Sequence, residues 1–243
     1  MDALSRDGTA MVLKAPSKAL WAAELPRAAW MLATWWRHRA LLAAAPIGDG
    51  RAVMLLPGLF NSDRSNFAMR RYLARRGYVC VGWGLGRNLG IRSVGPDAVR
   101  LIARVEELAA THGPVTLVGV SLGGIMARLV ALRRPDLVRA VITVASPYAG
   151  SARATNVWRA FEWVTGERID DEAVLARSAE IAAPLSVPAT AIWSRSDGLV
   201  AGAICRDVSA HAIEVRSSHL GVQLRPQVLR AVADVLAGQS RAT

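Results

Sequence analysis

The alternation of short apolar runs with amphipathic segments of roughly ten to fifteen residues constrains the fold of this chain most strongly. From Arg51 onward the two patterns follow one another, which is typical of a parallel sheet with crossover helices. Candidate strands lie at 52–56, 78–83, 115–119, 140–145, 189–194 and 212–215, and candidate helices at 64–76, 96–112, 125–134 and 226–237. The sequence therefore predicts an α/β domain with a mostly parallel sheet of about six strands and flanking helices.

Two segments depart from this alternation. Residues 146–188 carry two short helical patterns, the first with Trp158, Phe161 and Trp163, which predicts a helical cap inserted over the sheet. Before residue 51, apolar residues at helical spacing run from about residue 17 to 45, and we expect Pro26 to kink or divide this helix. The predicted organisation is an N-terminal helical arm at 1–50 and one domain at 51–243.

The charge of the chain suggests a nucleic-acid partner at first sight. The net charge is +11, and clustered basic residues bind phosphates by releasing counterions. Here the basic residues are spread from Arg6 to Arg241 in short local pairs, without a basic tail or stripe. We therefore expect a solvated, arginine-rich surface and no nucleic-acid partner.

The arm allows two interpretations. Trp21, Trp30, Trp35 and Trp36 lie among basic residues, a composition typical of a helix in a lipid headgroup layer. The same pattern suits a helix that packs on the domain, because any surface helix needs an apolar face. We favour packing and keep a peripheral membrane contact as the alternative. Because no secretory apolar region or membrane span is evident, we expect the protein in the cytoplasm, with that peripheral contact as an option.

One motif carries a recognisable chemistry. The run LVGVSLGGI, residues 117–125, is a strand that enters G-x-S-x-G and leaves as a helix. A serine acts as a nucleophile when its Oγ is exposed beside a base, and a sharp strand-to-helix turn exposes it if the neighbours are small. Gly119 and Gly123 satisfy that need. Ser121 is therefore the predicted nucleophile. The Leu122 N–H is a predicted oxyanion donor, and the helix that follows points its positive dipole end toward the same place.

An acid and a histidine follow in the order that one fold of serine hydrolases requires, each after a strand. Asp197 stands on a tight loop after the run 190–193, and His219 stands after the last apolar run. Asp207 lies further from the strand end and Glu214 lies inside a strand, so both suit the acid role less well. The pattern predicts a triad of Ser121, Asp197 and His219.

A second oxyanion donor is expected from the turn after an early strand. The segment LLPGLF, residues 55–60, is that turn, and Gly58 lets the next N–H swing toward the site. Leu59 is the first choice for this donor and Phe60 the second.

The stretches LLPGLFNSD, GWGLGRNLG, LVGVSLGGIMAR, WSRSDGLV and SSHLGV resemble bacterial α/β-hydrolases of the lipase and esterase group, over about residue 51 to the C-terminus. The first, third, fourth and fifth correspond to the oxyanion turn, nucleophile turn, acid loop and histidine loop. The resemblance implies the α/β-hydrolase fold. Pro57 departs from the histidine of many relatives, which bears on substrate preference. In the second stretch, Arg87 and Asn88 are expected to brace nearby loops.

The expected activity is hydrolysis of small-molecule or lipid-like carboxylic esters through an acyl-enzyme on Ser121. Two alternatives stay open: an acyltransferase or thioesterase with the same triad, and a non-catalytic scaffold that docks on membrane or protein. The sequence lacks a dinucleotide fingerprint, a P-loop and a His or Cys cluster with metal spacing, so no cofactor and no metal are expected. Cys80 and Cys205 are expected to be ordinary thiols.

Overall fold

The computed structural model describes residues 14–240, apart from the side chains of 239 and 240. Within this part of the chain, six parallel strands form one sheet in the order β2-β1-β3-β4-β5-β6. Their bounds are β1 Ala52–Leu56, β2 Val79–Gly82, β3 Val115–Val120, β4 Val138–Val144, β5 Ala189–Trp193 and β6 His211–Glu214. The predicted parallel sheet of about six strands is confirmed, with each strand end within two residues of its predicted position.

Helices cover both faces of the sheet and the ends of its strands. They are α1 Lys18–Ala22, α2 Glu24–Ala33, α3 Arg39–Ala43, α4 Phe67–Arg75, α5 Ile91–Val94, α6 Val99–His112, α7 Leu122–Arg133, α8 Trp158–Thr165, α9 Glu172–Ala182 and α10 Pro226–Ser240.

Three predicted helix starts are corrected by the structure. The helix expected at 125–134 begins at Leu122, because the serine turn passes directly into helical backbone. The helix expected at 96–112 begins at Val99 after a short 3₁₀ turn, since Asp97 and Ala98 have positive φ angles of 54° and 58°. The helix expected at 64–76 begins at Phe67, after a run of turns.

The core has two layers because successive residues of a strand point to opposite faces. On one face, Met54 and Leu117 pack with residues of α6 and α7. On the other face, Val53 and Val118 pack with residues of α4 and α10. Burial on both faces explains why these strands are continuous apolar runs rather than alternating ones.

The arm contains α1, α2, a 3₁₀ turn at Trp35–His38, and α3. Its first break lies at Ala23, so the expectation of a kink at Pro26 itself is wrong. Pro26 is the third residue of α2, and in a first turn the missing proline N–H costs no intrahelical bond. The predicted residues 1–13 of the arm lie outside the described part.

The arm packs on the domain along one side. Leu42 and Ala45 belong to the core layer beneath α10, Met31 is buried, and the Trp35 Nε1–H donates to the Leu224 carbonyl at 2.9 Å. Tryptophans on the other side remain exposed, including Trp30 at 69%. None of the described helices is long and apolar enough to cross a membrane.

Along the chain, helices α8 and α9 lie between β4 and β5, where the sequence predicts a cap. Phe161 of α8 packs against the core, whereas Trp163 of the same helix is 80% exposed. The buried Arg128 of α7 donates from Nε to the Ile181 carbonyl at 2.7 Å and fixes the end of α9. The inserted segment is therefore anchored to the helix that follows Ser121.

Candidate active site

Ser121 occupies a strained turn between β3 and α7. Its φ and ψ angles are 51° and −119°, in a region that residues with a side chain rarely adopt. The neighbouring glycines are required for space, because a Cβ at Gly119 would collide with the Gly123 carbonyl and one at Gly123 with the Leu56 carbonyl. The Ser121 N–H donates to the Val144 carbonyl at 2.8 Å, which ties the turn to β4. The serine is thus held at the carboxyl edge of the sheet.

The structure brings the three residues of the predicted triad together. His219 Nε2 lies 3.1 Å from Ser121 Oγ, and His219 Nδ1 lies 2.7 Å from Asp197 Oδ2. The other oxygen of Asp197, Oδ1, accepts the N–H groups of Leu199 and Val200, both at 2.8 Å. Both oxygens of the buried carboxylate are therefore engaged, and its orientation toward the imidazole is fixed.

The two rival acids lie elsewhere. Asp207 Oδ1 accepts the N–H groups of Ser209 and Ala210 at 2.8 Å, and Oδ2 is 3.8 Å from the Arg128 guanidinium. Glu214 pairs with Arg195 through two hydrogen bonds of 2.6 and 2.7 Å. Neither carboxylate contacts His219, which leaves Asp197 as its acid partner.

The surroundings of His219 favour its charged form overall. Burial opposes that form and lowers the pKa of the imidazole, but the charge and hydrogen bond of Asp197 raise it, and the charge of Glu24 adds to this. The net result is a His219 pKa above its ordinary value. An imidazolium that forms beside Ser121 is therefore stabilised where it stands.

The backbone N–H groups of Leu122 and Leu59, both near Ser121, have no acceptor among residues 14–240. The Phe60 N–H, the second choice from sequence, instead donates to the Asn88 carbonyl at 2.8 Å. The buried Asn88 also donates from Nδ2 to the Pro57 carbonyl at 2.7 Å, so it braces the turn as expected. Leu59 keeps its place as the predicted second donor.

A cavity of about 170 Å³ opens beside the serine. Ser121, Leu122 and Leu59 lie on its wall. Most of the remaining wall is apolar and comes from α5, α7 and the cap: Ile91, Val94, Ile125, Met126, Leu129, Trp158, Phe161 and Ile181. Trp163 does not line it. The serine therefore faces a space suited to an apolar group.

The cysteines offer no rival nucleophile. Burial raises the pKa of the Cys80 thiol to about 12, and burial also raises the pKa of Cys205 well above its usual range. A thiol reacts as the thiolate, so burial makes both groups poor nucleophiles.

One residue of the site was not predicted from sequence. Glu24 of α2, in the arm, places its carboxylate between the acid loop and the histidine loop and accepts the N–H groups of Gly198 and Leu220. The only sequence signal is that a lone acid interrupts the apolar stripe of the arm, and a surface position explains such a residue equally well.

Comparison with known proteins gives the family. The sequence model of the family described as alpha/beta hydrolase fold matches residues 51–186, a range that ends before Asp197 and His219. Among solved structures, the chain is similar to the lipase BlEst2 of Bacillus licheniformis, with a TM-score of 0.60 and 15% identity over 79% of this chain and 94% of that one. It is also similar to a monoacylglycerol lipase of Paleococcus ferrophilus, with a TM-score of 0.55 and 14% identity over 79% of this chain and 97% of that one. At such identity the structural likeness shows the fold alone, whereas the family match covers more than half of the sequence, and the chain belongs to the α/β-hydrolase fold family.

Proposed function

We propose that this protein hydrolyses carboxylic esters with an apolar acyl group through an acyl-enzyme on Ser121. The observation that carries the proposal is the hydrogen-bonded row from Ser121 to His219 to Asp197 at the wall of an apolar cavity. A non-catalytic scaffold has no need of a strained serine turn or of a buried carboxylate aimed at an imidazole.

Acylation uses the geometry already described. His219 Nε2, 3.1 Å from Ser121 Oγ, takes the hydroxyl proton as Oγ attacks the ester carbonyl. Asp197 orients the ring and stabilises the imidazolium without taking the proton itself. The free N–H groups of Leu122 and Leu59 donate to the oxygen that becomes negative in the tetrahedral intermediate.

Collapse of that intermediate breaks the bond to the alcohol oxygen, which receives the proton from His219. A water molecule, deprotonated by the same imidazole, then attacks the acyl carbon. The bond from that carbon to Ser121 Oγ breaks, His219 returns the proton to Oγ, and the acid leaves. A thiol or alcohol acceptor can replace this water, and a thioester can replace the ester. Acyl transfer and thioester hydrolysis are therefore the alternative activities that the same site could carry out.

The first prediction concerns the triad. We expect Ser121→Ala to lower turnover of a chromogenic ester by about 10⁶-fold, and His219→Ala to have a comparable effect. Asp197→Asn should lose less, about 10⁴-fold, because the acid orients the base but does not receive the proton. Steady-state rates of purified variants with unchanged melting temperatures measure these losses.

Asp207→Asn is the matched control for the acid, since Asp207 follows the same strand β5 but does not contact His219. Its rate should stay near that of the wild type. A Ser121→Ala variant with more than a trace of activity would overturn the proposed nucleophile. A large loss in Asp207→Asn with a small loss in Asp197→Asn would move the acid role to Asp207.

The cavity limits the acyl group. Its volume of about 170 Å³ is below the roughly 300–1,000 Å³ of sites for drug-sized ligands, so we propose a preference for short acyl chains. Phe161 closes part of the cavity wall from the cap and packs against the core, whereas Trp163 is one helical half-turn away and exposed.

The second prediction follows from these two side chains. Phe161→Ala should enlarge the cavity and shift the best substrate of a chain-length series toward longer acyl groups. Trp163→Ala, in the same helix, should leave the series unchanged. The ratio of kcat/KM values across p-nitrophenyl esters measures the shift. An unchanged optimum in Phe161→Ala, or an equal shift in both variants, would refute the proposed acyl site.

We also propose that the arm contacts an anionic lipid surface. The charged residues of α2 are turned inward: Glu24 is 2% exposed and the Arg27 guanidinium bonds Ser196. Its outward side is apolar, with Leu25 at 72% and Trp30 at 69% exposed. A helix that exposes its apolar side and turns its charged side chains toward the domain is the reverse of an ordinary surface helix.

Basic residues flank that apolar side at both ends of the arm. Lys14 and Lys18 precede it, Arg37 and Arg39 follow it, and all four are exposed. Each basic residue near an anionic membrane contributes attraction of about 1 kcal/mol, while tryptophans settle at the headgroup level. The charge pattern thus favours an anionic lipid surface over a second copy of this basic chain.

The third prediction tests this surface. Replacing Trp30 and Trp36 with serine should lower binding to phosphatidylserine-containing vesicles by at least tenfold, since a loss of about 1.4 kcal/mol is already tenfold and burial of even one large apolar side chain contributes about that much. Cosedimentation measures the binding, and added salt should weaken that of the wild type. Trp163→Ser is the matched control, because this tryptophan is exposed outside the arm. Equal binding by wild type and arm variant, or self-association of the wild type in place of vesicle binding, would contradict the proposal.

A further inference from the structure

Glu24 joins the two loops that carry the acid and the base. The residue is 2% exposed, Oε1 accepts the Gly198 N–H at 2.7 Å, and Oε2 accepts the Leu220 N–H at 2.8 Å. Gly198 directly follows Asp197, and Leu220 directly follows His219. One carboxylate from the arm therefore holds the residue next to each of these two side chains.

A separate hydrogen-bond group ties the same loops nearer to the strand ends. Ser194 Oγ accepts the Ser217 N–H at 3.1 Å and donates to the Ser217 carbonyl at 3.0 Å. On the arm side, Arg27 donates to the Ser196 carbonyl and, at 2.9 Å, to Ser196 Oγ. The loops are thus fixed both from within the domain and from the arm.

The backbone of the arm is also in close contact with the acid loop. A Cβ atom at Gly198 would lie 2.8 Å from the Trp21 amide nitrogen, so any larger residue there would displace the arm. The Glu24 hydrogen bonds therefore belong to a packed interface between the arm and the acid loop.

We propose that Glu24 is a positioning residue of the active site, which holds the acid loop and the histidine loop in register so that Asp197 and His219 keep their hydrogen bond. This inference rests on the proposed hydrolysis by Ser121. It assigns part of the site to residues outside the segment 51–186 that matches the family.

The chemistry of the carboxylate explains the choice of residue. Both oxygens of a carboxylate accept hydrogen bonds, whereas a glutamine has one acceptor and one donor. In Glu24→Gln the amide NH₂ replaces one carboxylate oxygen, so it would meet either the Gly198 or the Leu220 N–H. Two donors would then face each other, and one buried N–H would lose its acceptor. The variant keeps the size of the side chain and removes one of its two hydrogen bonds to the loops.

The charge of Glu24 provides a second, independent readout. Burial lowers the pKa of His219, whereas Asp197 raises it and the Glu24 charge adds to that rise. The other charged groups packed on this side are Arg27 on α2 and Arg225, which follows the histidine loop and lies near Arg27. Removing the Glu24 charge leaves both cations in place, so we expect the His219 pKa to fall.

The fourth prediction uses the full chain with Glu24→Gln. We expect kcat to fall about ten- to a hundredfold with KM little changed, because displaced groups lose alignment rather than substrate binding. The base must be neutral, so a lower His219 pKa moves the acid limb of the kcat/KM profile to lower pH. Glu24→Asp, which keeps the charge on a shorter stem, should lose kcat but retain an acid limb close to that of the wild type.

Asp207→Asn is the matched control, since Asp207 is a carboxylate that accepts backbone N–H groups and has an arginine at 3.8 Å, yet does not contact the triad. The acid limb of the kcat/KM profile of Asp207→Asn should lie at the same pH as that of the wild type, even if the substitution lowers the melting temperature. NMR titration of His219, assigned with the His219→Ala variant, reports the pKa without any ester. A wild-type kcat in Glu24→Gln, or an unmoved His219 titration, would overturn the role of Glu24. If the wild type cleaves no ester, the proposed function fails separately, and the titration still decides the effect of Glu24.

Discussion

The close packing of the serine turn between β3 and α7 is the constraint on which the rest of the site depends. Backbone lies so near to Gly119 and Gly123 that neither position tolerates a side chain, and Ser121 must adopt a positive φ of 51° between them. Such strain persists only where the surrounding structure over-determines it. Here the parallel sheet does so, because β1, β3, β5 and β6 end at one edge and supply the oxyanion turn, serine, acid and histidine in turn.

The arm is an integral part of the domain and of its active-site edge. In the described structure it is neither a free tail nor a simple cover, since its apolar residues enter the core while Glu24 and Arg27 reach the acid and histidine loops. The buried Glu24 carboxylate has a hydrogen bond to each loop and so stabilises one arrangement of the two. In water the same hydrogen bonds would only replace bonds to water and would stabilise neither loop. Its outward tryptophans are then left exposed beside basic residues. The two properties arise from one helix with its polar residues turned inward.

Much of this arrangement could be predicted from the sequence, for physical reasons. The central strands β1, β3 and β4 are buried almost throughout and leave continuous apolar runs, while the outer strands β2 and β6 are more exposed, yet the alternation of runs and helical segments predicts all six within two residues. The serine turn has a local signature because steric exclusion acts on adjacent residues, and Asp197 and His219 could be found from their positions after strands. The helix expected from residue 125 begins instead at Leu122 and includes Gly123 and Gly124, whose small size serves close packing.

Glu24 could not be predicted, because its partners are backbone N–H groups 174 and 196 residues away. Every residue except proline carries a backbone N–H, so no pattern of residue types indicates which N–H groups a buried carboxylate will bind. The choice between Leu59 and Phe60 had the same origin. The Phe60 N–H donates to the Asn88 carbonyl, so it is not free to act as an oxyanion donor. Asn88 lies in a different loop, and nothing in the sequence of the turn indicates this contact.

The central claim is that Ser121 is a nucleophile activated by His219 and Asp197. Reaction with a fluorophosphonate, followed by peptide mass spectrometry, tests it most directly, because the phosphonate bonds only to a serine whose proton a base removes. The account predicts one adduct per chain, located on Ser121, formed rapidly in the wild type and lost in His219→Ala. An unlabelled protein, or an adduct on another serine that persists in Ser121→Ala, would contradict it.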